Sequence, residues 1–238
     1  MGRAFEFRKA RKMKRWGKMA KTFSRIGKDI VMAIKEGGPD PESNSRLRAV
    51  MQNAKAANMP KENVDRAIKK AKDKDTSNYK EVIFEGRAPY GIAVLVECAT
   101  DNNNRTVANV RHCFSKRKGE LGTAGSVEFM FDRTCNFKIA NDGTDPEELE
   151  LELIDYGAEE VFVDEDGIII YAPFESFGSI QKFLEENEKE IISSGFERIP
   201  QVLTKLTAEQ KEEVDKLLEM LEEDEDTQNV YHSMDESE

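Results

Sequence analysis

Hydrophobic residues recur at helical spacing three times within the first 75 residues. The pattern predicts a helix from Lys18 to Glu36, a second over Arg46–Ala57 with Ser45 as its cap, and a third that begins near Pro60. The apolar seam of the first comprises Phe23, Ile26, Ile30 and Ile34. Because the links between these helices are short, the pattern predicts a small all-α domain.

A strand–helix–strand unit is predicted next. The β-branched, apolar run Gly91–Thr100 predicts a buried strand, and the polar run Asp101–Asn104 ends it and opens a basic helix. Three glycines then break the helix, and Ser126–Phe131 is predicted to be a second strand. The glycine-rich run 119–126 lacks the lysine of a Walker motif and leads into a strand, which favours a tight turn over a phosphate loop.

The order of elements after Cys135 predicts a split βαβ arrangement. The predicted strands are Cys135–Ala140, Glu159–Asp164, Ile168–Ala172 and Phe196–Leu203. One predicted helix begins near Asp145, and a second spans Phe174–Ile192. A capping box from Thr207 to Gln210 predicts a further helix, and Asn229–His232 reads as a final strand.

These elements together predict an α+β fold. A three-helix domain at the N-terminus would be followed by two ferredoxin-like α/β domains, with the third inserted into the second. The predicted boundaries are 1–79 for the helical domain, 80–134 with 206–238 for the discontinuous domain, and 135–205 for the inserted domain.

The distribution of charge separates the two ends of the chain. The net charge is −11, but residues 1–75 hold 21 Lys and Arg against 9 Asp and Glu, and residues 76–238 hold 15 against 38. A basic head, residues 1–75, on an acidic body predicts that the head binds a polyanion. The alternative is that these charges only solvate the helices.

The candidate nucleic-acid contacts are basic residues spread over the head, with one aromatic residue that is available to stack on a base. They are Arg11, Lys12, Lys14, Arg15, Trp16, Lys21, Arg25, Lys28, Arg46, Arg48, Lys55, Arg66, Lys69 and Lys70. The basic helix after Asn104 adds Arg105, Arg111 and Lys116 as a second cationic surface.

Catalytic, metal and cofactor chemistry are not indicated. The two histidines lie outside any HExxH or CxxC motif, there is no GxSxG motif, and the three cysteines have no CxxC spacing. The sequence therefore predicts a protein that is not an enzyme, with no cofactor, metal or small-molecule substrate. The apolar runs are too short to span a membrane, and buried free thiols suit a reducing cytoplasm. A basic N-terminus is typical of transit peptides, but this one continues directly into a helical pattern.

Three stretches resemble the YebC/PmpR family: GGPDPESNSRLRAVMQNAKAANMPKENVDRAIKKA, TDNNNRTVANVRHCFSKRKGELGTAGSVEFMF and the closing QNVYH. The resemblance covers nearly the whole chain and implies an N-terminal helical domain with two α/β domains. It also implies a DNA-binding transcriptional regulator. Mitochondrial relatives act as translational activators for cytochrome c oxidase subunit I, and bacterial relatives are tied to the ribosome and to proline-rich stretches. Members usually begin with His-Ser-Lys-Trp, whereas Trp16 here lacks the preceding His-Ser.

Three functional hypotheses follow. The first is a cytoplasmic, DNA-binding regulator of gene expression, and the alternative is a ribosome-associated translation factor that binds ribosomal RNA. The third is a protein-interaction module whose acidic domains bind a partner. The sequence leaves DNA and RNA open, because phosphate contacts dominate both and no base-reading motif is present. A monomer is expected, with the oligomeric state left open.

Overall fold

The computed structural model describes residues 19–72, 79–164 and 167–236. These ranges contain seven α-helices and eight strands, and they group into two compact units. The first unit combines residues 19–72 with 133–198, and the second combines 79–132 with 199–236. The helices are α1 (Met19–Gly37), α2 (Ser45–Ala56), α3 (Lys61–Lys72), α4 (Asn103–Lys116), α5 (Pro146–Ile154), α6 (Phe177–Glu186) and α7 (Ala208–Glu223). The strands are β1 (Lys80–Arg87), β2 (Ala93–Thr100), β3 (Glu120–Leu121), β4 (Phe131–Ile139), β5 (Glu160–Asp164), β6 (Gly167–Pro173), β7 (Ile191–Pro200) and β8 (Thr227–His232).

Helices α1, α2 and α3 pack around a shared apolar core in the first unit. Ile30 and Leu47 are fully buried there. The cap of α2 is Asn44, so the prediction that Ser45 caps this helix is wrong. The Asn44 side chain accepts a hydrogen bond from Leu47 N and donates to the carbonyl oxygens of Ala33 and Gly38. An amide can therefore join the start of α2 to the end of α1, which a single serine hydroxyl cannot do.

The first unit also contains a four-stranded sheet in the order β5-β6-β4-β7, with α5 and α6 supplying the apolar residues that bury one face. This is the strand order of a ferredoxin-like fold. Helix α6 ends at Glu186 and β7 begins at Ile191, so the predicted helix to Ile192 is too long. The reason is a helix stop, in which Glu188 takes φ 54° and Lys189 N bonds back to Leu184 O.

Helix α2 is joined to this sheet by hydrogen bonds. The Asn53 side chain donates to Ser194 O at 2.6 Å and accepts from Ser194 N at 2.9 Å, on the edge strand β7. The Arg48 guanidinium donates to both carboxylate oxygens of Glu185 on α6, at 2.8 and 3.2 Å. The amide of Asn53 thus satisfies the backbone of an open sheet edge, which would otherwise remain unpaired there.

The second unit is built on a sheet in the order β3-β1-β2-β8. Helices α4 and α7 bury one face, and Val127 and Phe131 belong to a cluster that buries Ala93, Leu95 and Tyr231. The predicted strand Ser126–Phe131 is wrong. Residues 128–130 form a short 3₁₀ turn, and pairing resumes only where β4 begins.

The α+β class with a helical N-terminal region and two antiparallel four-stranded sheets is confirmed, and the inserted sheet has the ferredoxin-like order. The chain leaves the second unit within β4 and returns to it within β7, so one sheet-and-helix layer is inserted into the other. The boundaries of three separate domains stay a prediction, since the head and the inserted sheet group together in one unit.

Candidate nucleic-acid interface

The predicted contacts in the N-terminal segment are Arg11, Lys12, Lys14, Arg15 and Trp16. They lie outside the described residues, and their assignment stays a prediction. The described part of the head still carries twelve basic and six acidic residues between positions 19 and 72. Which of these basic side chains are open to a ligand depends on the ion pairs that they make inside the protein.

Helix α3 carries most of the exposed cations in the described part of the head. Its apolar side places Ala67 in the core, whereas Arg66, Lys69 and Lys70 on the other side are exposed. Within the described ranges, Arg66 and Lys69 have no ion-pair partner. Lys69 and Lys70 lie in the last turn, where a cation also complements the helix dipole, but Arg66 lies one turn earlier and gains little from that effect.

Two of the three basic side chains of α2 make ion pairs within the protein. Lys55 is exposed, and in the described part of the chain it has no ion-pair partner. The Arg46 guanidinium contacts Glu36 of α1 at 2.5 Å. Arg48 bonds to Glu185 and also donates to the Pro41 carbonyl oxygen at 2.6 Å. Arg46 and Arg48 therefore hold elements of the first unit together.

The predicted contacts on α1 are less exposed to solvent than those on α3. Lys21, Arg25 and Lys28 are half-buried, and each makes interactions within the protein. Their role toward a polyanion stays a prediction.

Arg105 borders a buried polar cluster at the start of α4, which contains Asp226 and Thr106. Its Nη2 and Nε atoms donate to Asp226 Oδ2 at 2.8 and 3.2 Å, and Nη2 also donates to Asp101 at 2.9 Å. The Asp226 side chain is 6% exposed and further accepts the Thr106 hydroxyl at 2.8 Å. The Arg105 guanidinium thus neutralises a buried carboxylate, and its assignment to the cationic surface stays a prediction.

The second half of α4 is different. Arg111 and Lys116 are exposed, and neither has an ion-pair partner among the residues that the structure describes. Asn109, one turn after Arg105, donates to Asp224 at 2.9 Å. The polar residues in the first half of α4 are therefore bonded to the loop before β8, whereas Arg111 and Lys116 in the second half are exposed.

The glycine-rich turn after α4 binds the carboxylate of Glu85, which lies on strand β1. The backbone N–H groups of Gly125, Val127 and Glu128 donate to the buried Glu85 carboxylate at 2.5, 2.7 and 2.8 Å. Burial raises the pKa of Glu85, but the hydrogen bonds from Val127, Gly125 and Glu128 outweigh it, so the pKa lies below its usual value. The prediction of a tight turn is supported, because Glu85 occupies the donors that a phosphate would need.

Neither a cluster of metal ligands nor a membrane-spanning helix is found in the described ranges. There, no three His, Cys, Asp or Glu side chains come together in a way that could hold a metal ion. The helices of those ranges are too short or too polar to cross a bilayer.

Comparison with known proteins gives consistent results over the whole chain. Residues 3–74 match the family described as "TACO1/YebC protein N-terminal domain", and residues 79–234 match "TACO1/YebC second and third domain". A "Probable transcriptional regulatory protein" of Flavobacterium psychrophilum is 72% identical over 236 residues, which cover 99% of this chain and 100% of the relative. One of Parabacteroides distasonis with the same description is 59% identical over 237 residues, covering 99% and 98%.

A solved structure agrees with these matches. The crystal structure of a conserved hypothetical protein from Aquifex aeolicus superposes with a TM-score of 0.78 at 38% identity. The superposition covers 92% of this chain and 90% of that one.

Proposed function

Because the chain belongs to the TACO1/YebC family, we propose that it is a nucleic-acid-binding regulator of gene expression that acts as a DNA-binding transcriptional regulator. The names of its relatives support a regulatory role. The observation that carries the proposal is the set of exposed basic side chains without ion-pair partners in the described ranges, Lys55, Arg66, Lys69, Arg111 and Lys116. A cation that is not neutralised within the protein can release a counterion from a phosphate when it binds.

The test is the salt dependence of binding to duplex DNA. We expect the variant Arg66→Gln with Lys69→Gln to bind more weakly and to lower the slope of log K against log salt by about 0.9 for each phosphate that is no longer neutralised. The matched control is Lys182→Gln, which removes a lysine that is 74% exposed on α6, beside Glu186. An equal loss of affinity per charge removed in the control and in the double variant would show that only net charge matters, and would contradict a defined interface.

A ribosome-associated translation factor is the second candidate. Exposed cations without ion-pair partners occur on both compact units, with Arg66 and Lys69 on the first and Arg111 and Lys116 on the second, among the described residues. Separate basic patches suit an irregular folded RNA better than a single groove of DNA.

Competition separates the two candidates. Labelled promoter DNA would be titrated at physiological salt with unlabelled random duplex and with purified ribosomes. Resistance of promoter DNA to a large excess of random duplex would support the transcriptional regulator, since base-edge contacts give about 1–3 kcal/mol of discrimination each. Displacement by ribosomes at far lower concentration than by duplex would replace it with the translation factor.

A further inference from the structure

Helix α5 turns two large apolar side chains toward solvent, on the side away from its core. Leu149 and Leu153 are 1% and 0% exposed, whereas Leu151 is 70% and Ile154 is 54% exposed. Residues three apart on a helix are neighbours, so Leu151 and Ile154 lie side by side. Tyr156, two residues after the helix, packs its ring on Phe183 with 4.8 Å between centroids, so we call only Leu151 and Ile154 the outer face of α5. Adjacent exposed apolar side chains are typical of an interaction site, unlike single ones.

The outer face of α5 lies in a strongly acidic stretch. Between positions 141 and 164 the chain has ten acidic residues and no Lys or Arg. Asp142 pairs with Lys189, and Asp164 pairs with Lys138. The other eight have no ion-pair partner in the described part of the chain: Asp145, Glu147, Glu148, Glu150, Glu152, Asp155, Glu159 and Glu160. The helix dipole favours Glu147 and Glu148 in the first turn, but it gives no reason for the later carboxylates.

This charge decides which occupant fits. Nucleic acids and anionic lipids are repelled by a surface of unpaired carboxylates. Two copies of α5 placed face to face would also bring carboxylates together, which disfavours a symmetric dimer. We propose that the outer face of α5 binds a lysine- or arginine-rich segment of a partner protein. Apolar side chains of that segment cover Leu151 and Ile154, and its cations pair with the surrounding carboxylates.

The experiment uses the full chain and a fluorescein-labelled peptide of lysine and leucine, with the leucines on one helical face, followed by fluorescence anisotropy. We expect saturable binding, and we expect Leu151→Ala with Ile154→Ala to weaken it at least about tenfold through reduced apolar burial. Val202→Ala is the matched control, because Val202 is 69% exposed in the second unit and is expected to leave binding unchanged. A peptide with glutamate in place of lysine should not bind.

Several results would overturn the proposal. Unchanged binding by the double variant would show that the peptide responds only to overall negative charge, and an equal loss in Val202→Ala would show that it does not distinguish the outer face of α5 from other exposed apolar surface. A dimer in sedimentation without peptide, absent in the double variant, would assign the outer face to a second copy of the chain. Nucleic acid is absent from the assay, so its outcome is independent of the proposed function. Circular dichroism confirms that the variants are folded.

Discussion

Arg105 and Arg111 lie on the same helix, and we expect them to respond to alanine in opposite ways. Arg105 makes three hydrogen bonds to Asp226 and Asp101, whereas Arg111 is exposed and has no ion-pair partner in the described ranges. Arg105→Ala should therefore reduce stability, and Arg111→Ala should reduce binding to nucleic acid.

The expected loss for Arg105→Ala follows from the surroundings of Asp226. Leaving a buried acceptor without its partner costs about 1–3 kcal/mol. Asp226 keeps the Thr106 hydroxyl, and the Arg105 side chain is 48% exposed, so solvent screens part of the interaction. Removing a cation near the helix N-terminus also returns a few tenths of a kcal/mol, roughly. We expect the free energy of unfolding to fall by about 1–2 kcal/mol in total. Each kcal/mol should lower the thermal midpoint by about 2–4 °C.

Arg111→Ala should change stability by no more than about 0.5 kcal/mol, as is usual for a surface substitution. If Arg111 contacts a phosphate, its removal should lower the salt slope of duplex binding by about 0.9. Thermal unfolding and salt-dependent anisotropy would be measured on both variants. Normal stability with weakened binding in Arg105→Ala would refute the reasoning, because it would mean that the bonds to Asp226 do not engage this side chain.

Substitutions at three further residues test how the fold holds its polar groups. Glu85→Gln should cost about 2–3 kcal/mol in urea unfolding, because charged acceptors are stronger and the amide NH₂ opposes an N–H donor. The pKa of Glu85 is lower in the folded chain than its ordinary 4.5. Its contribution to the free energy of unfolding is therefore complete above pH 4.5 and disappears as the pH falls through the folded pKa. A stability difference between Glu85→Gln and the unchanged chain that does not vary with pH would contradict this. Asn44→Ala should cost about 2 kcal/mol by removing a helix cap and its bonds to Ala33 and Gly38, and Asn44→Ser should recover only part of it. Thr207→Ala should cost about 1 kcal/mol through the capping box with Gln210, and an unchanged urea midpoint would show that the box adds nothing.

Local patterns in the sequence determined the helices, the fold class and the candidate chemistry. Periodic apolar residues predicted the C-terminal end of α1 to within one residue, and the capping box at Thr207 is present. Both features depend on residues within a few positions of each other, where backbone geometry alone decides which side chains meet. The excess of basic residues in the head is likewise a property of composition, and no tertiary contact changes it.

The tertiary structure decided which basic residues are open to a partner. Arg48 meets Glu185 across 137 positions, and Arg105 meets Asp226 across 121 positions. It also overruled the predicted strand after Gly125, because Glu85, about 40 positions earlier, takes the N–H groups that a strand would have used. A helix periodicity separates the buried face from the exposed one, but it does not identify the carboxylate that folding brings next to an exposed cation. Whether a lysine or arginine is neutralised within the protein or remains available to a phosphate depends on those long-range contacts.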